Sequence, residues 1–230
     1  MTLPPPVRVD VHEPAVRDYW RERAEQHTHD SYVGVAMTKF PEDLRVYEHL
    51  LWLDGPDTVI ELGTQAGGSA LWFRDRLATM RAYGRIAREP TVISVDVAQD
   101  GPRHMLEACA NAEHIELVEG DLGDPRVVEQ VASLAGERCL VVEDSAHTFE
   151  TTRAALESYA RFVPAGGFMV VEDGCVDDEQ LRFSHWPRGV RPALDAWLAS
   201  PAGAAFEVRR DLELYGITCH PSGFLQRRGA

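Results

Sequence analysis

The sequence predicts an α/β fold built on a mostly parallel, seven-stranded sheet with helices on both faces. Three observations predict it. From Asp57 onward, short runs rich in Val, Ile and Leu alternate with stretches of helical periodicity. The runs are continuously apolar, as strands buried on both faces must be. A length of 230 residues suffices for one large α/β domain with a substantial core.

Residues 1–14 are proline-rich and expected to be loose, and 15–28 form a polar helix with Val16, Tyr19 and Trp20 on one side. Residues 1–30 are therefore read as an amino-terminal arm and 31–230 as the main domain. Residues 41–53 make a stronger helix, with Pro41 in its first turn and Leu44, Tyr47, Leu50 and Leu51 at helical spacing. "TVIELG" is the first strand of the sheet and "GSALWFRDRLATMRA" the helix after it. "TVISVDV" is the second strand, followed by a helix over 103–111. "HIELVEGD" is the third, followed by helix 124–135. "CLVVED" is the fourth, with a helix over 148–163, and "GFMVVED" is the fifth. Helix 189–199 and strands near 206–210 and 223–228 complete the sheet.

Composition narrows the partners. A formal net charge of −14 argues against nucleic acid, which selects a basic face. No apolar run approaches the ~18 residues of a membrane span, and the start lacks a signal pattern. Cys109, Cys139, Cys175 and Cys219 show no zinc or redox spacing, and Cys139 reads as a small core hydrophobe. A cytoplasmic protein is expected.

"VIELGTQAGGS" at 59–69 places a glycine turn between strand and helix, where the first βα turn of a doubly wound sheet meets its ligand. A dinucleotide fingerprint needs glycines at 63, 65 and 68, but position 65 is Gln. The spacing suits S-adenosylmethionine, which has no pyrophosphate to cradle. Asp96 closes the second strand, where it can take the ribose hydroxyls, and Asp121 follows the third, within reach of an adenine amine. The candidate cofactor set is Glu61, Gly63, Thr64, Gly67, Gly68, Ser69, Asp96 and Asp121. Plain strand-end turns with solvated acids are the alternative.

The fourth and fifth strands both end on Glu-Asp. If they are neighbours, Asp144, Glu172 and Asp173 converge. Two carboxylates ~4 Å apart repel by ~4 kcal/mol at an effective dielectric near 20, so three need a proton or a cation among them. Hard oxygen ligands favour Mg²⁺, with Mn²⁺ as a substitute. Strand alternation points Glu143 away from Asp144. The simpler account is that Asp144 or Ser145 caps the next helix, which explains one carboxylate and not three. His147 then lies near a metal-bound hydroxyl as a candidate base. Catalytic roles accordingly fall on His147 and Asp144, and metal ligation on Asp144, Glu172 and Asp173.

"SYVGVAMTKFPEDLRVYEHLLW", "VIELGTQAGGSALWFRD", "EDSAHTFETTRAAL", "GGFMVVEDG" and "HPSGFLQRR" together resemble the cephalosporin hydroxylase / rhamnosyl O-methyltransferase family, over residues 31–228. Macrolide-sugar O-methyltransferases are related to it. The resemblance implies a Rossmann-like class I methyltransferase with Mg²⁺ on Asp144, Glu172 and Asp173 and His147 as base. It also implies a hydroxyl of a small specialised metabolite, such as an antibiotic or glycoside sugar, as acceptor, and a homo-oligomer. Catechol-type methyltransferases use a lysine near this place; the one lysine here is Lys39, so that variant is not expected. Tyr32, Met37 and "FSHWPRG" at 183–189, with His185 and Trp186, are candidates to cover the acceptor, with Gly189 as a hinge. The rival readings are a nicotinamide-dependent oxidoreductase, against which Gln65 counts, and an inactive cofactor-binding subunit.

Overall fold

The computed structural model describes residues 3–109 and 112–229. In chain order it contains α1 (Pro14–Gln26), β1 (Ser31–Tyr32), β2 (Val35–Ala36), α2 (Pro41–Asp54), β3 (Thr58–Leu62), α3 (Gly68–Ala82), β4 (Thr91–Asp96) and α4 (Asp100–Glu107). There follow β5 (Ile115–Glu119), α5 (Pro125–Leu134), β6 (Cys139–Glu143), α6 (Phe149–Tyr159), β7 (Phe168–Val171), α7 (Val190–Leu198), β8 (Phe206–Val208) and β9 (Phe224–Arg227). Strands β3–β9 form one seven-stranded sheet in the order β5-β4-β3-β6-β7-β9-β8. The first five are mutually parallel, and β9 pairs antiparallel with β7 and β8.

Side-chain alternation along each strand splits the core into two layers. Ile60, Leu62, Ile93, Val95, Val141 and Met169 pack with Trp20 of α1, Val128 and Val131 of α5, Leu156 of α6 and Trp197 of α7. Their neighbours Val59, Val92, Leu140, Val142 and Val170 pack against Leu50 and Leu51 of α2 and Phe73 and Leu77 of α3. A sheet buried this way requires apolar residues at consecutive positions, hence the unbroken runs. The membrane criterion also holds among the described residues, since no helix is long and apolar enough to cross a bilayer.

Three expectations change. The amino-terminal segment is anchored: the Val7 amide donates to the Leu214 carbonyl at 2.8 Å, and Trp20 and Ala24 are fully buried. The buried side of α1 is Trp20 and Ala24, with His27 just past its end, whereas Tyr19 is 51% exposed, because a spacing of four residues sets the face. The helix placed over 103–111 begins earlier and ends at Glu107; positions 110 and 111 lie outside the described residues. The short β1–β2 hairpin had no counterpart in the expected elements, since two-residue strands carry no periodicity.

Cutting Trp20 to Ala removes a large side chain from the main core and is expected to cost about 3–5 kcal/mol. Denaturant unfolding measures it. A loss below about 1 kcal/mol, typical of surface positions, would show that the arm only rests on the domain.

Candidate functional site

The strand order puts β4 on one side of β3 and β6 on the other, so the chain reverses its direction of travel across the sheet at β3. Such a switch point leaves a crevice at the carboxyl ends of the strands. Gly63 sits in it with φ +108°, and a Cβ there would meet the Asp144 carbonyl oxygen at 1.9 Å. Only glycine lets these two strand ends approach so closely. A Cβ on Gly68 would fall 2.2 Å from the Ala36 carbonyl oxygen, because the β1–β2 hairpin crosses the start of α3. That crossing delivers the segment holding Thr38 and Lys39 to the sheet edge.

Two cavities meet at Gly63 and Ser145. One, of about 190 Å³, is lined by Thr38, Lys39, Thr64, Gln65, Ser69, Asp144, His147 and Asp173. The other, of about 160 Å³, is lined by Asp96, Val97, Gly120, Asp121, Ala146 and Thr151. Of the candidate cofactor residues, Gly63, Thr64 and Ser69 line the first cavity, and Gly63, Asp96 and Asp121 the second. Gly67 and Gly68 are buried in the turn behind them.

Glu61 lies beneath the turn rather than in either cavity wall. It is fully buried, Ser94 Oγ donates to it at 2.7 Å, and burial pushes its carboxyl up. The Ser94 hydroxyl in turn pairs with Thr64 Oγ1 at 2.8 Å, so Glu61 braces the turn through two hydroxyls. Asp96 also holds the turn: its Oδ2 accepts from the Thr64 amide at 2.8 Å.

The carboxylate group is where the sequence expectation is most altered. Lys39, 3% exposed, donates from Nζ to Asp144 Oδ2 at 2.6 Å and to Glu172 Oε1 and Oε2 at 2.8 and 2.7 Å. Lys39, which the sequence reading sets aside only as the lysine of a catechol-type site, is therefore the cation between the two strand ends. Tyr47 Oη also donates to Glu172 Oε1, at 2.5 Å. Burial pushes the Glu172 carboxyl up, but the Lys39 charge, His220 and the hydrogen bonds from Lys39 and Tyr47 outweigh it and hold Glu172 below its ordinary value. Asp144 is the other half of this uneven pair. Burial and the Glu172 charge push it up to about 8, against the pull of Lys39. One ammonium shared by two acids thus keeps one ionised and favours a proton on the other.

Burial lowers Lys39, but Asp144, Glu172 and Glu61 outweigh that and raise it well above its ordinary value. Its contribution to stability is therefore full below the ordinary lysine value of about 10.4 and is lost as pH climbs through the raised one.

His147 Nε2 faces Asp173 Oδ2 at 3.4 Å and Asp144 Oδ1 at 3.7 Å, and its Nδ1 is buried without a partner. Burial lowers this ring, but the Asp173, Asp144 and Glu143 charges more than offset it, so its pKa is raised. His147 and Asp173 have φ of 56° and 55°, a left-handed conformation that is costly for such residues and frequent at functional sites. Glu143 points away from Asp144, as alternation requires, and Ser145 and Thr152 donate to it. The cap of α6 is Thr148, in a capping box with Thr151, so neither Asp144 nor Ser145 serves that purpose.

Asp144, His147 and Asp173 each offer a ligand atom within 4.8 Å of the others, as do Glu172, Asp173 and His220. A single cation can bridge either spacing. The expected trio of Asp144, Glu172 and Asp173 is brought to one edge, but both Glu172 oxygens are engaged by Lys39. Tyr47 and His220, buried beside Glu172, were not anticipated; His220 Nδ1 accepts from the Asp173 amide at 3.1 Å.

The proposed covers lie elsewhere. Tyr32 Oη donates to Asp75 at 2.8 Å and Met37 is buried in the α2–α3 layer. His185 is exposed at the surface and Trp186 packs on Trp20 at 6.2 Å. Gly189 is pinned, because its amide donates to Asp177 at 2.8 Å and a Cβ would strike the Phe149 amide nitrogen at 2.2 Å.

Comparison with known proteins places these features in context. Residues 24–228 match the family described as Rhamnosyl O-methyltransferase/CmcI. The chain is 29% identical over 204 residues to a rhamnosyl O-methyltransferase of Mycobacterium tuberculosis, covering 87% of this chain and 79% of the relative. With the Mycobacterium leprae counterpart it is 26% identical over 202 residues, covering 86% and 83%. Among solved structures, one described as "cmcI-D160 Mg-SAM" superposes with a TM-score of 0.60 at 23% identity, covering 87% of this chain and 77% of the other. An O-methyltransferase from Bacillus cereus in complex with SAH gives 0.54 at 14% identity, covering 96% and 91%. These two likenesses show a shared fold.

Lys39→Met leaves buried carboxylates without their cation and is expected to cost about 3–5 kcal/mol, with most of the loss recovered in Lys39→Met/Glu172→Met. Chemical denaturation of the wild type and variants measures this. Equal stability of Lys39→Met and wild type would contradict the bridge.

Proposed function

The chain belongs to the rhamnosyl O-methyltransferase/CmcI family, and on that premise we propose that it transfers the methyl group of S-adenosylmethionine to a hydroxyl of a small specialised metabolite, with Mg²⁺ or Mn²⁺ at the Asp144–Asp173 edge. The observation that carries this reading is the meeting of two unlike cavities at Gly63 and Ser145. Asp96 and Asp121 provide acceptors for ribose hydroxyls and an adenine amine in one. The glycine turn, Thr64 and Ser69 leave room for the methionine half in the other. A rhamnosyl hydroxyl is the first acceptor to test, since the M. tuberculosis and M. leprae relatives are rhamnosyl O-methyltransferases.

The donor set fits a hard divalent cation. The Asp144 and Asp173 carboxylates offer oxygens within 4.8 Å of one another at the wall of a polar cavity, with the His147 imidazole beside them. Asp144 and Asp173 would hold the ion, with Glu172 as the third carboxylate of the proposed set. Such an ion would supply charge that lowers the pKa of an acceptor hydroxyl. His147 Nε2, already turned toward both aspartates, takes the hydroxyl proton. S-adenosylmethionine, when bound, would supply the methyl group to the acceptor oxygen, with S-adenosylhomocysteine as the leaving group that keeps the carbon–sulfur bonding pair. Holding the two substrates in line supplies much of the acceleration.

Methyl transfer to a panel of rhamnosyl and related glycosides is expected to require Mg²⁺ and to stop in EDTA. His147→Ala should lower turnover by about 10²–10⁴-fold. Asp144→Asn should be inactive yet still gain thermal stability from S-adenosylhomocysteine, with no gain from NAD. Normal turnover by Asp144→Asn, or in EDTA, would reject the metal role.

A further inference from the structure

Glu172 has no oxygen to spare. Lys39 Nζ lies 2.8 and 2.7 Å from its two oxygens, and Tyr47 Oη is 2.5 Å from the first. The carboxylate is 2% exposed and Lys39 3%, so water cannot take over either role without the site opening. Asp144 is engaged differently: Lys39 bonds only Oδ2, while Oδ1 faces His147 Nε2 at 3.7 Å. Two of the three proposed metal-binding carboxylates thus already share a cation that is part of the chain. Any ion on Asp144 Oδ1 sits one carboxylate away from that ammonium, and like charges at such separation repel strongly where water is excluded.

We infer that Lys39 is a built-in competitor of the divalent ion: it holds Glu172 out of the ligand set and keeps the acidic edge folded without metal, so an ion must displace it from Glu172 to gain the third carboxylate. This rests on the metal reading of the preceding subsection. Its consequence is a site that is stable empty and exchanges its ion readily. The chain has 23 basic residues, of which this is the single lysine, and the compact ammonium suits the task. A guanidinium spreads its charge over a planar fork, whereas Nζ is a point charge that one pair of carboxylates can enclose and release.

The test uses Mn²⁺ as probe, with binding followed by electron paramagnetic resonance of the free ion and stability by thermal unfolding with and without Mn²⁺. Lys39→Met is expected to bind Mn²⁺ at least about tenfold more tightly than wild type, because a like charge is gone. Mn²⁺ should raise its unfolding temperature much more than that of wild type. Lys39→Gln, which retains an amide donor for Glu172, should shift in the same direction if Lys39→Met does not fold. A variant recovered folded only with Mn²⁺ present also supports the inference, since the ion then does the work of the ammonium. Unchanged or weaker Mn²⁺ binding by a folded variant, alongside clear binding by wild type, would overturn the competition and leave the metal reading standing. Absence of binding by every protein, or failure of both variants to fold even with Mn²⁺, would overturn it as well, the former together with the metal reading.

Discussion

A single buried ammonium sets the architecture of this site. Glu172 and Asp144 end adjacent parallel strands, and the register that pairs Glu143 with Val171 leaves the next residues no choice but proximity. Without a positive charge beside it, Glu172 could not be buried in its ionised form next to a second carboxyl group. Lys39 supplies that charge by direct contact, and the unequal sharing leaves Glu172 held low and Asp144 pushed up to about 8. The surrounding groups follow from this arrangement: Tyr47 satisfies a Glu172 oxygen, His220 braces the Asp173 backbone, and His147 leans toward the aspartates.

Several backbone features exist to permit that contact. Gly63 lets the first strand's turn lie against the Asp144 carbonyl, and Gly68 lets the β1–β2 hairpin pass over the start of α3. The hairpin carries the chain across the sheet edge, so that Thr38 and Lys39 point into the crevice before Pro41 starts α2. The strained residues His147 and Asp173 lie in the loops that follow β6 and β7 at the same edge of the sheet. Strain at such positions is tolerated because two packed core layers fix the strands on either side.

The sheet was legible in the sequence because burial on both faces writes itself as unbroken apolar runs, and each such run in the expected order became a strand. The convergence of Asp144, Glu172 and Asp173 was equally legible, since equivalent Glu-Asp endings on neighbouring strands have to meet. Lys39 was hidden for a definite reason. It is delivered by a hairpin of two-residue strands, which has no periodicity, from a position more than a hundred residues before Asp144. Its one visible signal was compositional: a lone lysine among arginines, in a chain rich in acids. That Glu61 lies beneath the turn was not legible, because a strand-end acid looks the same in sequence whether it faces a ligand or braces a turn from below. Tyr47 and His220 carry no sequence signal, since a buried Tyr on a helix face and a His before Pro are ordinary core and loop residues.

The central claim is that Lys39 is a buried partner of Glu172 and Asp144 whose charge their carboxylates hold. Because the chain has one lysine, protein labelled with ¹⁵N-lysine gives a single side-chain ammonium resonance, which can be followed by NMR as pH is raised. The account predicts a slowly exchanging ammonium signal that stays charged well above the ordinary lysine value of about 10.4. A fast-exchanging amine that titrates at that ordinary value would contradict it.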